Sequence, residues 1–205
     1  MQLFRRRDET SADQAPKMAL GFLFELIQVA AVSLAIIIPV RYFLIQPFYV
    51  KGASMEPNFF DHEYLIIDEV SYRFREPIRG DIVVFRPPTD SNQFFIKRVI
   101  GLPGETVEIA GGQVKVFNDA NPNGFVLPEE EYLDQDFTAT TKTVTLKSDE
   151  YFVMGDNRIA SLDSRYFGPI KRSSVVGRVW FRGWPLDRWK VFENPAYVNP
   201  DVSTQ

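Results

Sequence analysis

Cysteine is absent from this 205-residue chain, and histidine occurs once, as His62. The lack of cysteine excludes a disulfide framework, a cysteine nucleophile and a thiolate metal site, although it leaves the redox compartment open. A zinc site of the His-Glu-x-x-His type cannot form, and a Ser-His-Asp triad would have to use His62. That residue lies in the polar sequence Asp61-His62-Glu63, which is typical of a solvated turn. We therefore expect no metal and no cofactor.

The chain also lacks a basic stripe and an internal repeat. Its net charge is −4 and its lysine and arginine residues are dispersed, so nucleic-acid binding has little support. Apolar residues make up 45% of the chain, which is enough for a hydrophobic core. The length allows one membrane anchor and one domain of ordinary size, but not two large domains.

One long apolar run is present, from Met18 to Ile45. Its charge-free part, 26–40, is shorter than the roughly 20 residues that span a bilayer. We therefore expect Glu25 and Arg41 to lie at opposite interfaces, with their side chains reaching the headgroups. The sequence predicts a transmembrane signal-anchor helix over 19–45.

Basic residues are unevenly placed around this run. By the positive-inside rule, segment 1–18 is cytoplasmic and the rest of the chain lies on the outer face of a plasma membrane. A bacterial membrane is the default, and an organellar one stays open. Against Arg41 and Lys51 behind the run, four basic residues precede it: Arg5, Arg6, Arg7 and Lys17.

Two other interpretations of the apolar run stay open. A cleaved signal peptide would have an apolar region of about 7–15 residues followed by a small-residue cleavage site. The sequence Pro39-Val40-Arg41-Tyr42 does not resemble such a site. A buried helix of a soluble protein normally keeps a polar face, and almost none is visible here.

Beyond Ile45 the pattern changes to short β-type runs separated by turn residues. No long amphipathic helix follows, so we predict a mainly β fold, with an antiparallel, barrel-like domain over 46–192. Asn118–Gly124 is interpreted as a loop, Pro128–Glu131 as an exposed acidic turn, and 193–205 as a flexible tail. The predicted strands are Phe48–Val50, Tyr64–Ile67, Asp81–Phe85, Phe94–Ile100, Thr106–Ile109, Val114–Phe117, Thr143–Leu146, Tyr151–Met154 and Val175–Phe181.

Ser54 and Lys97 are the strongest candidates for chemistry. Ser54 lies in a bend between Gly52 and Pro57, where a nucleophile can be exposed. Lys97 lies in a predicted strand and shares one face with Phe95 and Val99. Burial lowers the pKa of an amine from about 10.4, and a lysine that is neutral near pH 8 can accept the proton of a serine. Such a pair needs no histidine.

A third polar segment follows a predicted strand, from Gly155 to Arg165. Ser161, Asp163 and Arg165 alternate, so in an extended chain they point to one side. Asp163 could pair with Arg165, and Ser161 could hold an amine by a hydrogen bond.

At these residues the chain resembles type I signal peptidases, membrane-bound Ser-Lys proteases that remove signal peptides from exported proteins. The resemblance implies Ser54 as nucleophile, Lys97 as general base, Ser161 as the group that positions the amine, and Asp163 with Arg165 as support. It also implies a β-rich catalytic domain with a β-ribbon region, here about 106–150, and a substrate bound as an added strand. The matching blocks are Ser54-Met55-Glu56-Pro57, Gly80–Phe85, Lys97–Gly104, and Gly155-Asp156-Asn157-Arg158 through Ser161, Asp163, Ser164 and Arg165.

Three positions depart from the commonest pattern of that family. Asn58-Phe59 stands where Thr-Leu is frequent and Glu105 where Asp is frequent, and we expect neither difference to touch the chemistry. Gly52 stands where some members have a serine whose hydroxyl helps to hold the oxyanion. We therefore assign the oxyanion or substrate-binding site to backbone groups of Gly52, Ser54 and Met55.

The sequence thus predicts a membrane-anchored endopeptidase that cuts signal peptides of exported preproteins after small residues. Its expected partners are those peptides and membrane lipid, with no nucleic acid. Phe48, Tyr49, Phe59 and Phe60 could rest at the membrane surface. The alternatives are a tethered β-domain that binds extended peptides without cutting them, and a Ser-Lys self-cleaving regulator.

Overall fold

The computed structural model of the protein describes residues 15–43, 46–130, 132–133 and 141–193. The chain forms two compact units, Met1–Phe43 and Leu44–Gln205. Most of the predicted cytoplasmic segment 1–18, and the predicted tail beyond Glu193, lie outside the described residues.

The first unit contains one helix, α1 (Ala15–Phe43), of 29 residues. At about 1.5 Å per residue it is longer than the roughly 30 Å hydrocarbon core of a bilayer. Its stretch Leu20–Ile38 is long and apolar enough to cross a membrane, and none of that stretch is buried.

The second unit is mainly antiparallel β-structure, as predicted. Within the described residues its helices are short, namely α2 (Ser164–Phe167) and three single 3₁₀ turns. The strands are β1 (Gln46–Tyr49), β2 (Tyr64–Asp68), β3 (Ile82–Phe85), β4 (Phe95–Gly101), β5 (Thr106–Ala110), β6 (Gln113–Asn118), β7 (Asn121–Val126), β8 (Lys142–Thr145), β9 (Glu150–Met154), β10 (Ile170–Lys171), β11 (Val175–Trp184) and β12 (Lys190–Val191).

The strands form two sheets. The larger is a curled half-barrel with the strand order β1-β2-β11-β3-β4-β9-β10, and β12 pairs with β11. The smaller has the order β7-β6-β5-β8. The smaller sheet falls within the region 106–150 that the resemblance associates with a β-ribbon.

Strand β4 is central to the larger sheet and is covered on both faces. Val83, Phe85 and Val99 belong to an apolar cluster on one face. On the other face, Val84 and Leu65 belong to a second cluster. A side chain from the middle of β4 therefore enters an apolar interior, where a charge is costly unless it is paired.

The structure corrects three of the predictions about local structure. Asn118–Gly124 is not a loop, because its second half forms most of β7, an edge strand that tolerates Pro122. Glu129, in the predicted exposed acidic turn, is only 6% exposed. Phe59 has no exposed surface and stacks on Phe192 with ring centroids 4.5 Å apart, so it cannot contact a membrane.

Candidate active site

The structure brings Ser54 and Lys97 into direct contact. Lys97 Nζ lies 2.7 Å from Ser54 Oγ and donates a second hydrogen bond to the carbonyl oxygen of Ile96, also at 2.7 Å. The two side chains come from segments that are 43 residues apart. This arrangement holds an amine and a hydroxyl at the distance needed for proton transfer.

Lys97 is only 3% exposed, although it carries an amine. Burial lowers the pKa of Lys97 to about 8, against the opposing effects of the Asp163 and Asp156 carboxylates and with a small contribution from Arg165. Because the desolvation of the charged form dominates, a substantial fraction of the amine is neutral in mildly alkaline solution. A neutral lysine can act as a base.

Ser54 sits at the start of a tight turn. The Phe59 amide donates to the Met55 carbonyl at 2.9 Å, which closes one helical turn directly after the serine. The Asn157 amide donates to the Ser54 carbonyl oxygen at 3.1 Å and so ties this turn to the Gly155–Arg165 segment. A Cβ atom at Gly155 would clash with that carbonyl and with Ser161 Oγ, so this close approach requires glycine.

The residues assigned to the oxyanion site differ in their surroundings. Gly52 lines the cleft beside Ser54 with a φ of 86°, but its amide donates to Asp61 Oδ1 at 3.1 Å. Met55 is almost completely buried in the core and does not line the cleft. No hydrogen bond within the described residues occupies the Ser54 amide, which leaves it able to donate to a substrate.

Asp163 and Arg165 form a buried ion pair whose charges act on the Lys97 amine. Arg165 Nε and Nη2 donate to the two Asp163 oxygens at 2.8 and 2.7 Å, and the Gly155 amide donates to Asp163 Oδ2 at 3.0 Å. Burial would raise the pKa of Asp163, but the hydrogen bonds and charge of Arg165 outweigh it and lower that pKa. Asp163 also caps α2, because it accepts the Arg165 amide, so the chain turns here instead of continuing as a strand.

Ser161 lies in the same buried group and is 5% exposed. Its hydroxyl is close enough to Asp163 to help lower the pKa of that carboxyl. Its Oγ nevertheless completes no hydrogen bond of normal geometry within the described part of the chain. A contact with the Lys97 amine therefore stays a prediction.

A second buried ion pair was not predicted from the sequence. Arg98, the neighbour of Lys97 on β4, donates from Nε and Nη2 to the two Asp156 oxygens at 2.8 and 2.7 Å. Asn58 Nδ2 donates to the same carboxylate at 2.9 Å. Asn58 was expected not to touch the chemistry, and its contact is with Asp156 rather than with Ser54 or Lys97. The sequence gives little signal for this group of three residues. Asn58, Arg98 and Asp156 each lie near a candidate residue along the chain, but they are far from one another in sequence.

A cleft of about 580 Å³ opens onto Ser54 and Lys97. Its walls come from β1, from the Lys51–Ser54 bend and from the segment leading into β4. Ala160 and Leu162 complete the wall on the side of the Gly155–Arg165 segment. The apolar lining is provided by Phe48, Val50, Leu65, Val84 and Ile96.

On one side, residues 95–97 have no strand partner within the part of the chain that the structure describes, although the Ile96 carbonyl accepts from Lys97 Nζ. Strand β4 pairs with β3 from Phe95 onward, but its pairing with β9 begins only at Arg98. On the opposite side of the cleft, β1 is an edge strand that pairs with β2 alone. Unpaired backbone groups at such edges can accept an extended peptide as a further strand.

The chain is similar to known signal peptidases over most of its length. The family described as signal peptidase, peptidase S26, matches residues 23–184. The chain is similar to a signal peptidase I from Leptolyngbya laminosa, at 36% identity over 81% of this chain and 82% of that protein. A probable signal peptidase I-2 from Synechocystis sp. is 41% identical over 78% of this chain and 72% of its own length. A crystal structure of a signal peptidase I from Enterococcus faecalis matches 51% of this chain and 97% of that chain, at 34% identity and a TM-score of 0.42.

Proposed function

The chain belongs to the signal peptidase family, peptidase S26, and from this membership we propose that it is a membrane-anchored serine endopeptidase that cleaves signal peptides with a Ser54–Lys97 dyad. The observation that carries the proposal is the 2.7 Å contact between a buried lysine amine and a serine hydroxyl.

In the proposed mechanism, neutral Lys97 removes the proton from Ser54 Oγ as that oxygen attacks the carbonyl carbon of the scissile bond. The resulting ammonium returns the proton to the leaving amine, which frees the mature protein and leaves an acyl-serine. Water, deprotonated by the same amine, then hydrolyses the acyl-serine. Asp163 with Arg165 supports the base, and Ser161 positions its amine.

The developing oxyanion needs donors, and we assign the Ser54 amide to this role. Gly52 contributes no side-chain donor, and its own amide is engaged by Asp61. One donor of this kind typically contributes about 3 kcal/mol to the stability of the transition state. We therefore assign to Gly52 only the shaping of the cleft next to Ser54. To Met55 we assign only packing in the core.

The apolar cleft walls support the proposal that cleavage occurs after small residues. Val50, Leu65 and Val84 are nearly fully buried, so packing behind them holds the apolar floor of the cleft in place. A rigid, shallow apolar pocket accepts alanine or a similar side chain and rejects a larger one by overlap. The peptide would lie as an added strand against residues 95–97.

The membrane places enzyme and substrate together. Helix α1 would anchor the protein as a single-pass helix, with segment 1–18 in the cytoplasm and the second unit, called the β-unit below, outside. The exposed Tyr49 and the partly exposed Phe48 and Phe60 are then candidates for contact with membrane lipid. The signal peptide of a preprotein lies in the same membrane, which confines the encounter to its surface.

Digestion of a preprotein tests the proposed function directly. We expect the purified full-length protein to release one product whose new amino terminus follows a small residue. Replacing that small residue with tryptophan should lower kcat/KM by about 100-fold or more, whereas the same change deep in the mature part should have no effect. Binding without cleavage would favour a tethered peptide-binding domain, and cleavage of its own chain alone would favour a self-cleaving regulator.

The pH dependence tests the proposed base. Because the pKa of Lys97 is lowered to about 8, kcat/KM should rise with pH through that value and level off above it. About a tenth of the amine is neutral one pH unit below the midpoint and about nine tenths one unit above it. Initial rates with a short peptide substrate of constant charge would measure the midpoint. A rate that falls through pH 8, or is flat from pH 6 to 10, would contradict the assignment.

A further inference from the structure

The segment that leaves the smaller sheet after β7 is packed next to the candidate active site. Glu129 accepts from Arg158 Nη1 and Nη2 at 2.8 and 2.5 Å, and Tyr132 Oη donates to Glu129 Oε1 at 2.8 Å. The Leu127 amide donates to the Val114 carbonyl on β6 at 2.9 Å. The segment is therefore fixed at one end to the smaller sheet and at the other to the loop that also carries Asp156.

Asn58 joins this segment to the turn of Ser54. Its Nδ2 atom donates to the backbone carbonyl of Tyr132 at 2.7 Å and to Asp156 Oδ2 at 2.9 Å. Both partners can only accept here, so the two N–H groups of the carboxamide satisfy both at once. The backbone carbonyl oxygen of Asn58 accepts from Arg182 Nη1 on β11 at 2.9 Å, which attaches the main chain of this turn to the larger sheet.

Asp156 is linked to both members of the dyad through neighbouring residues. Its carboxylate is held by Arg98, the residue after Lys97 on β4. The next residue, Asn157, donates its amide to the Ser54 carbonyl. The position of the Asp156–Asn157 dipeptide therefore bears on the nucleophile and on the strand of the base at the same time.

We propose that Asn58 is a positioning residue whose carboxamide ties the Ser54 turn to Asp156 and to the Glu129–Tyr132 segment, so that the smaller sheet helps to hold the nucleophile against Lys97. This inference rests on the proposed function. It also gives the smaller sheet a role in holding the nucleophile. The Ser54–Lys97 pair and the cleft by themselves would not need that role. Small displacements of a nucleophile reduce turnover strongly, so the effect should appear in kcat.

The test compares three substitutions at Asn58 in the full-length protein, with a preprotein as substrate. Asn58→Ala removes both donors, and we expect kcat to fall about tenfold or more with KM within about twofold of the wild type. Asn58→Ser keeps one donor and should recover part of the loss. Asn58→Asp sets a carboxylate against the Asp156 carboxylate, so the midpoint of the pH profile should move to higher pH.

Asn123 supplies the matched control. It is an exposed asparagine in β7, and Asn123→Ala and Asn123→Asp should leave kcat, KM and the pH midpoint unchanged. Tryptophan fluorescence of each variant in urea reports whether its β-unit is folded under assay conditions. If kcat of folded Asn58→Ala stays within twofold of the wild type, or if its loss falls entirely on KM, the inference is wrong.

A double-mutant cycle tests the part played by the smaller sheet. Glu129→Gln weakens the pairing with Arg158 that holds the Glu129–Tyr132 segment. If this segment acts through Asn58, the loss in the double variant with Asn58→Ala should be at least about threefold smaller than the product of the single losses. Independent effects would overturn the role of the smaller sheet. A wild-type protein that cleaves no preprotein would instead overturn the proposed function, and the two failures are thus distinguishable.

Discussion

Lys97→Ala and Ser54→Ala will each reduce turnover of a preprotein by about 10⁴-fold or more, because each removes a group without which the proposed acylation cannot begin. The double variant should be little worse than either single one, since the two side chains act as a unit. The assay is the appearance of mature product over time, with the full-length protein in detergent micelles. Lys147→Ala, at a lysine whose side chain is 79% exposed, is the control and should retain wild-type turnover.

The stability of these variants separates a catalytic role from a structural one. The folded-state pKa of Lys97 is lowered, so the unfolded chain binds the proton more tightly and the fold is penalised below about pH 8. That penalty is relieved as the pH rises from about 8 toward the ordinary value of about 10.5. Lys97→Met, which keeps most of the volume, should therefore be at least as stable as the wild type at pH 7 and still inactive. A Lys97 variant that unfolds at pH 7 would contradict this account.

Conservative exchanges at Lys97 should also fail. Arginine keeps its proton at any accessible pH, so Lys97→Arg offers no base. Histidine is shorter and stiffer than lysine, so Lys97→His would not reach Ser54 Oγ from β4. Turnover by either variant above about a hundredth of the wild-type rate would show that a different group removes the serine proton.

Asp163→Ala will have the largest effect on stability, an expected loss of about 3–5 kcal/mol in the free energy of unfolding. The change leaves the buried Arg165 guanidinium without its carboxylate, and removes the acceptor of the Gly155 amide and the cap of α2. Urea denaturation followed by tryptophan fluorescence measures this loss in the β-unit alone. The three tryptophans of the chain all lie there: Trp180, Trp184 and Trp189.

Lys147→Ala is the control for this experiment as well. It breaks the exposed pair with Glu150, whose contribution to the free energy of unfolding is at most about 1 kcal/mol. Asp163→Asn keeps the shape and one acceptor oxygen. Its loss in the free energy of unfolding should lie between the losses of Lys147→Ala and Asp163→Ala. A loss for Asp163→Ala no larger than that for Lys147→Ala would mean that Arg165 finds another partner or water.

Much of the β-unit was predictable because its strands follow a simple local rule. All nine predicted strands are present, with bounds within two residues of the observed ones except at the end of β11, which continues three residues beyond the predicted Phe181 to Trp184. Strands β2 to β4 are rich in β-branched and aromatic residues and are separated by turn residues, so local preference and burial agree. β7 was missed because its proline, glycine and asparagines resemble a loop, and only its pairing with β6 makes it a strand.

The candidate nucleophile and base could be predicted from local sequence, whereas the residues that support them could not. Ser54 and Lys97 stand in recognisable local sequences, and a lysine amid apolar residues of a strand already indicates burial. Asn58, Asp156 and Tyr132 meet only after three distant segments have packed together, and no local pattern encodes a contact across 98 residues. Glu129 was predicted to be exposed because an acidic run is normally solvated, whereas here it pairs with Arg158 in the interior.

The sequence by itself determined the anchor-length helix, the β-class of the second unit and the candidates for nucleophile and base, because composition, periodicity and short motifs carry that information locally. Only the tertiary structure decided that the Lys97 amine lies 2.7 Å from the Ser54 hydroxyl, that the Gly52 amide donates to Asp61, and that the Asn58 carboxamide donates to both Tyr132 and Asp156. Distances and pKa shifts arise from burial and from partners far away along the chain, and these exist only once the chain has folded.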